Sequence, residues 1–171
     1  MNGVRLLIAE DDEALAALLE EYLSESGYEI TLCHRGDDAL EKISQEHFDI
    51  VLTDVVMPGA DGLTVLAAAN TDPNRTLVIL MTGYSGIEDA LHAVEQGAYD
   101  FVSKPFQLPE IRVRLDNAAR YQILLRRFQA VGGESTSDEA SEVFKPLQMQ
   151  GMVNHPSEVV AIRAYGRREG R

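Results

Sequence analysis

The chain has 171 residues, of which 45% are hydrophobic, and a formal net charge of −13. That length suits one globular domain with a sizeable core plus an appendage. No apolar run approaches a membrane span and no basic start precedes a long apolar stretch, so membrane insertion and secretion are not expected and cytoplasm is the expected compartment. Residues 1–125 hold 22 acidic and 8 basic side chains, net −14, whereas residues 126–171 hold 6 and 7, net +1; a domain this acidic repels phosphate backbones, so nucleic acid is not an expected partner except through the tail.

The first 125 residues alternate strand-like and helix-like segments. Val4–Ala9 reads as a buried strand, and Glu10-Asp11-Asp12 follows it. Ala14, Leu15, Leu18, Leu19, Tyr22 and Leu23 have helical spacing up to Gly27, and Asp12 fits the N-cap with Glu13 in the first turn. Glu29–Cys33 is a short strand; Cys33, the only cysteine, reads as a small core residue rather than a reactive thiol. Asp37–Ser44 is a helix with Ala39, Leu40 and Ile43 inward, and Ile50–Asp54 is a fully buried strand followed at once by the turn Met57-Pro58-Gly59. Gly62–Asn70 is a short helix, Leu77–Thr82 a strand, Ile87–Gln96 a helix ended by Gly97, and Tyr99–Ser103 the last strand. Pro109 opens a last helix. Five strand–helix units with short connections imply a parallel sheet with helices on both faces.

Four strands carry a polar residue at the C-terminal end: Glu10 and Asp11, then Asp54, Thr82 and Lys104. In an open parallel sheet these ends share one edge, where ligands bind. Acids there suit a hard divalent cation with oxygen ligands, and a lysine with a hydroxyl suits a phosphoryl group. One site holding Mg²⁺ and a phosphoryl group is the expectation. Carboxylates gathered there repel one another, so at least one should titrate above its ordinary value without metal.

The wording Leu7-Ile8-Ala9-Glu10-Asp11-Asp12, Asp54-Val55-Val56-Met57-Pro58-Gly59-x-Asp61-Gly62, Met81-Thr82-Gly83 and Gly97-Ala98-Tyr99-Asp100-Phe101-Val102-x-Lys104-Pro105-Phe106 resembles the receiver domain of two-component response regulators, with nitrogen-regulator-type detail. The resemblance covers roughly residues 3–125. It implies a flavodoxin-like, doubly wound α/β fold whose five-stranded parallel sheet has order 2-1-3-4-5. It implies a phosphorylation-dependent signalling receiver that takes a phosphoryl group from a sensor histidine kinase or phosphotransfer protein onto Asp54, and that is no enzyme beyond its own phosphotransfer and autodephosphorylation. By the same resemblance Asp11 and Asp54 ligate Mg²⁺ directly, Glu10 acts through a water, and the Val56 carbonyl completes the protein ligands. Lys104 neutralises a phosphoryl oxygen. Thr82 and Phe101 form the switch, with Phe where Tyr is frequent.

Residues 126–142 read as a helix extension and flexible linker, and residues 143–171 as a short unassigned tail ending in Arg163, Arg167, Arg168 and Arg171. These 171 residues leave no room for the ATPase and DNA-binding domains of nitrogen-regulator-type relatives. The apolar run Tyr121, Ile123, Leu124, Leu125 and Phe128 suits either packing on its own domain or a homodimer through the last helix. His34, His47, His92 and His155 have no metal spacing and read as surface or satisfied residues. Two rival readings are a Mg²⁺-dependent phosphohydrolase with an Asp nucleophile and a vestigial docking module. The first would want an acid two residues after the nucleophile, where Val56 stands; the second would have lost an acid, the hydroxyl or the lysine, and none is lost.

Overall fold

A computed structural model describes residues 3–72, 75–83 and 92–130. The chain divides into two units, Met1–Phe128 and Gln129–Arg171. Of the second, only residues 129–130 are described, so the linker and tail expected from the sequence lie outside the described residues.

In the first unit the strands β1 (Val4–Ala9), β2 (Tyr28–Cys33), β3 (Ile50–Asp54), β4 (Leu77–Thr82) and β5 (Asp100–Ser103) form one sheet in the order β2-β1-β3-β4-β5, every pair parallel. The helices are α1 (Glu13–Ser24), α2 (Gly36–Gln45), α3 (Gly62–Ala69) and a long final helix, here α4 (Leu108–Ala130). This is the flavodoxin-like order expected from the sequence. The expected helix over 87–96 falls mostly outside the described residues, which include its helical end at 92–95. The last strand starts at Asp100 rather than Tyr99, because Tyr99 donates its N–H to Val78 but begins no ladder of its own.

Strand alternation splits the core in two. Leu6, Ile8, Leu52, Ile79, Met81 and Val102 face α1 and α4. Leu7, Ala9, Val51, Val78 and Leu80 face α2 and α3. Both faces being covered, the strands can be apolar on both sides. The helix starts follow local chemistry. Asp12 accepts from the Ala14 and Leu15 N–H groups at 3.0 and 3.1 Å, the cap expected of it. Asp61 does the same for α3 from the Thr64 N–H at 2.8 Å. Cys33 is buried at the end of β2, and burial pushes its thiol up to about 11.

The opposite edge of the sheet carries a polar joint that sequence pattern does not announce. Asp49 is 2% exposed. Its Oδ2 accepts from the Arg5 N–H at 2.8 Å, and its Oδ1 accepts from the Arg126 guanidinium with His47 Nε2 at 3.4 Å. Gln122, also buried, donates to the carbonyls of Asp49 at 2.8 Å and Arg75 at 2.5 Å. Arg75 is in the left-handed region at φ 56°. The C-terminal half of α4 is thereby pinned to the beginnings of β3 and β4. Leu125 is buried beneath it, whereas Leu124 and Phe128 are 49% and 43% exposed, so the apolar end of α4 only partly packs on its own domain.

Asp49→Ala strips two donors of their acceptor but leaves a half-exposed guanidinium that water can solvate. Urea unfolding should show a loss of about 2–3 kcal/mol. Asp49→Asn, which can still accept from Arg5, should lose less.

Candidate functional site

The sheet order places the ends of β1, β3, β4 and β5 side by side. Backbone bonds continue past the strands: Glu10 N–H donates to Cys33 at 3.0 Å, Val55 N–H to Met81 at 2.9 Å, and Lys104 N–H to Thr82 at 2.6 Å. These bonds bring Glu10, Asp54, Thr82 and Lys104 to one edge. Glu10, Asp54 and Thr82 are buried at 0%, 8% and 1% exposure, while Asp11 faces solvent.

Lys104 is the centre of the cluster. Its Nζ lies 2.7 Å from Glu10 Oε2 and 2.5 Å from Asp54 Oδ2. The other oxygens are also held: Glu10 Oε1 accepts from the Asp12 N–H and Asp54 Oδ1 from the Val56 N–H, both at 3.1 Å. Glu10, Asp11 and Asp54 each offer a carboxylate oxygen, and these oxygens lie within 4.8 Å of one another. Ionised, three carboxylates against one ammonium leave a net charge of −2, which a hard divalent cation with oxygen ligands fits. The Glu10 carboxyl is held above its ordinary value, first by burial, with Lys104 opposing and Asp54 adding a little. Lys104 is also pushed up: burial pulls it down, but its bonds to Asp54 and Glu10 win. The two partners differ in sense because Glu10 is wholly enclosed whereas Lys104 keeps some contact with water, so the desolvation penalty of the pair falls on the carboxyl. A raised carboxyl was expected from repulsion among the acids. Its main cause is burial instead, and the group is Glu10.

The two residues expected to form a switch, Thr82 and Phe101, are placed but not joined. Thr82 sits one register step beyond the Asp54–Met81 pair, and its hydroxyl donates to the Gly83 carbonyl at 3.2 Å. Phe101 pairs in register with Leu80 and packs, partly buried, against the α2–α3 side of the core.

Residues 6–116 match the response regulator receiver domain. The chain belongs to that family. It is 36% identical over 120 residues to the uncharacterized transcriptional regulatory protein YkoG of Bacillus subtilis, an alignment covering 70% of this chain and 53% of that protein. It is 34% identical over 125 residues to regulatory protein AtoC of Escherichia coli, covering 73% of this chain and 27% of that one. Among solved structures, a CheY-like response regulator receiver domain protein from Methanospirillum hungatei is 27% identical with a TM-score of 0.64, covering 69% of this chain and 94% of that one. The chain spans about half the length of the first of these relatives. Relatives named as transcriptional regulators weaken the expectation that nucleic acid is no partner, since the charge argument reaches only residues 1–125. The nitrogen-regulator-type detail stays an expectation. No helix among the described residues is long and apolar enough to cross a membrane.

Several contacts here escape a sequence reading. Val56 is 77% exposed and carries no acid, so a leaving-group acid of the phosphohydrolase kind is absent at that position; its backbone N–H is what touches Asp54. His34 lies beside the site with Nδ1 3.1 Å from the Glu10 carbonyl oxygen, and His47 Nδ1 is 2.6 Å from the Asp72 carboxylate. His155 lies outside the described residues. The only signal for the Val56 contact is the tight turn after Asp54.

A carboxyl raised in the native state keeps its proton where the unfolded chain has already lost it. Metal-free stability should therefore fall as pH rises from the ordinary glutamate value through the raised one. Glu10→Gln removes that group. Urea unfolding in chelator should show the difference between variant and wild type moving in the variant's favour over this window; parallel curves would remove Glu10 as the strained carboxyl.

Proposed function

We propose that this chain is a phosphorylation-dependent signalling receiver that accepts a phosphoryl group on Asp54 from a sensor histidine kinase or a phosphotransfer protein. The observation that supports it most is the Asp54 carboxylate itself, held by the Val56 N–H on one oxygen and Lys104 on the other, beside Glu10 and Asp11.

In the reaction an Asp54 oxygen attacks phosphorus. The new O–P bond forms as the bond to the donor breaks, and the electron pair leaves with the donor's imidazole nitrogen, or with acetate when acetyl phosphate is the donor. Mg²⁺, held by Glu10, Asp11, Asp54 and the Val56 carbonyl, would offset the repulsion between phosphoryl oxygens and carboxylates. Lys104 starts on the carboxylates and follows the charge, moving its ammonium to a phosphoryl oxygen. Thr82 exchanges its weak bond to Gly83 for a second phosphoryl oxygen. The space it leaves admits Phe101, whose ring has no hydroxyl to satisfy. The chain acts only on itself, in phosphotransfer and autodephosphorylation. It works in the cytoplasm, where the sensor kinase or phosphotransfer protein supplies the phosphoryl group.

The exposed Val113, Leu124 and Phe128 on α4 support a homodimer through that helix as the output. The surface formed by residues 87–96 lies mostly outside the described residues.

Acetyl phosphate with Mg²⁺ should add one hydroxylamine-labile phosphoryl group, read by intact mass. Asp54→Asn, nearly isosteric, should fold and take none; undiminished incorporation would end the assignment. Thr82→Ala should still be phosphorylated but lose the change in sedimentation that phosphorylation brings to wild type. Equal shifts in both proteins would show that Thr82 does not couple the site to the output.

A further inference from the structure

The loop 55–61 between β3 and α3 brings the Val56 N–H to Asp54, yet much of what fixes this loop lies on α2. The N-cap of α2 is Arg35, which makes no side-chain capping bond. A helix start needs acceptors for its first N–H groups, and Gly36 finds one in the loop: its N–H donates to the Pro58 carbonyl at 3.1 Å. The approach is close enough to require glycine. A Cβ on Gly36 would fall within 2.5 Å of the Ala60 carbonyl carbon and 3.0 Å of the Ala60 Cα. Next to it, Gly59 sits at φ +80°, with the Asp37 carboxyl carbon 2.5 Å from where its Cβ would be. At the far end of the loop Gly62 opens α3, and its Cβ would lie 2.9 Å from the Val55 Cα and closer still to the Asp54 carbonyl. The loop is thus seated backbone to backbone between the first turns of two helices, and a displacement at residues 58–60 reaches Val56 within a few bonds.

We propose that Gly36 is a positioning residue for the phosphoryl-acceptor site. The first turn of α2 sets the loop height from which Val56 meets Asp54, although α2 itself contributes no group to the acid cluster. This rests on the reading of Asp54 and its neighbours as a Mg²⁺ and phosphoryl site. Gly36 has no left-handed φ, so Gly36→Ala meets no backbone penalty of its own and acts by pushing the loop.

The test uses the full chain and the Mg²⁺ dependence of its melting temperature, read apart from activity. Above the dissociation constant, the wild-type melting temperature should rise with the logarithm of the Mg²⁺ concentration. Gly36→Ala should still melt cooperatively but need about tenfold more Mg²⁺ for the same rise. Its phosphorylation by acetyl phosphate at saturating Mg²⁺ should fall about tenfold or more, as displacements on the ångström scale do. Asp49→Ala, which lowers stability at the opposite edge, should need the same Mg²⁺ as wild type for that rise. A Mg²⁺ requirement raised equally in Asp49→Ala, or unchanged in Gly36→Ala, would overturn the proposal while leaving the site reading standing. A wild type indifferent to Mg²⁺ would overturn both. If Gly36→Ala does not fold, the unaltered chain carries the same question. Coupling is reciprocal, so Mg²⁺ should shift the Gly36 amide resonance and slow its hydrogen exchange several-fold. An amide blind to Mg²⁺ would overturn the proposal.

Discussion

One ammonium group holds the functional edge of this protein together. Lys104 Nζ bridges Glu10 and Asp54, which come from strand ends on either side of the β1–β3 seam, and it reaches them from the end of β5, across β4. Without it a wholly buried glutamate and a buried aspartate would face each other with little but backbone N–H groups for compensation. That arrangement follows from the parallel sheet: strand order decides that the acids of β1 and β3 are neighbours, and the bond from the Lys104 N–H to the Thr82 carbonyl fixes where the lysine starts. The same ammonium suits two states, one in which it neutralises carboxylates and one in which it neutralises an incoming anion.

The loop after Asp54 is the second constraint. It is short, carries an exposed valine and a proline, and meets the Asp54 carboxylate through the Val56 N–H. Its position depends on glycines at 36 and 62 that let backbones approach where a side chain would not fit, and on Gly59, at φ +80° against the Asp37 carboxylate. Two of these lie in the stretch whose wording marked the family. Gly36 lies outside it, at the start of α2.

The fold was largely legible in the sequence because each strand is a short apolar run with a polar end and each helix an apolar stripe with a stop. Asp12 could be assigned to the α1 cap because an acid one residue before a helical stripe has a specific donor to meet, and it meets two. The acids and the lysine of the site could be named for the same reason: they sit at strand ends, and parallel strands end together. What pattern could not supply was partnership across long separations. Asp49, one residue before a buried strand, has no local pattern that marks it, yet it is clamped by Arg5 and Arg126, respectively 44 and 77 positions away. Burial of Glu10 is likewise a tertiary fact, and it changed the cause of the raised carboxyl from repulsion to desolvation. The Gly36 contact was invisible because a missing side chain leaves no periodic trace.

The most direct test is a crystal structure of the chain with Mg²⁺ and beryllofluoride, a phosphoryl mimic. Beryllium should be bonded to an Asp54 carboxylate oxygen, with Lys104 Nζ withdrawn from Asp54 onto a fluorine, the Thr82 hydroxyl turned from Gly83 to another fluorine, and the metal among Glu10, Asp11 and Asp54. Lys104 still bridging Glu10 and Asp54, with the mimic bound elsewhere or not at all, would contradict that arrangement.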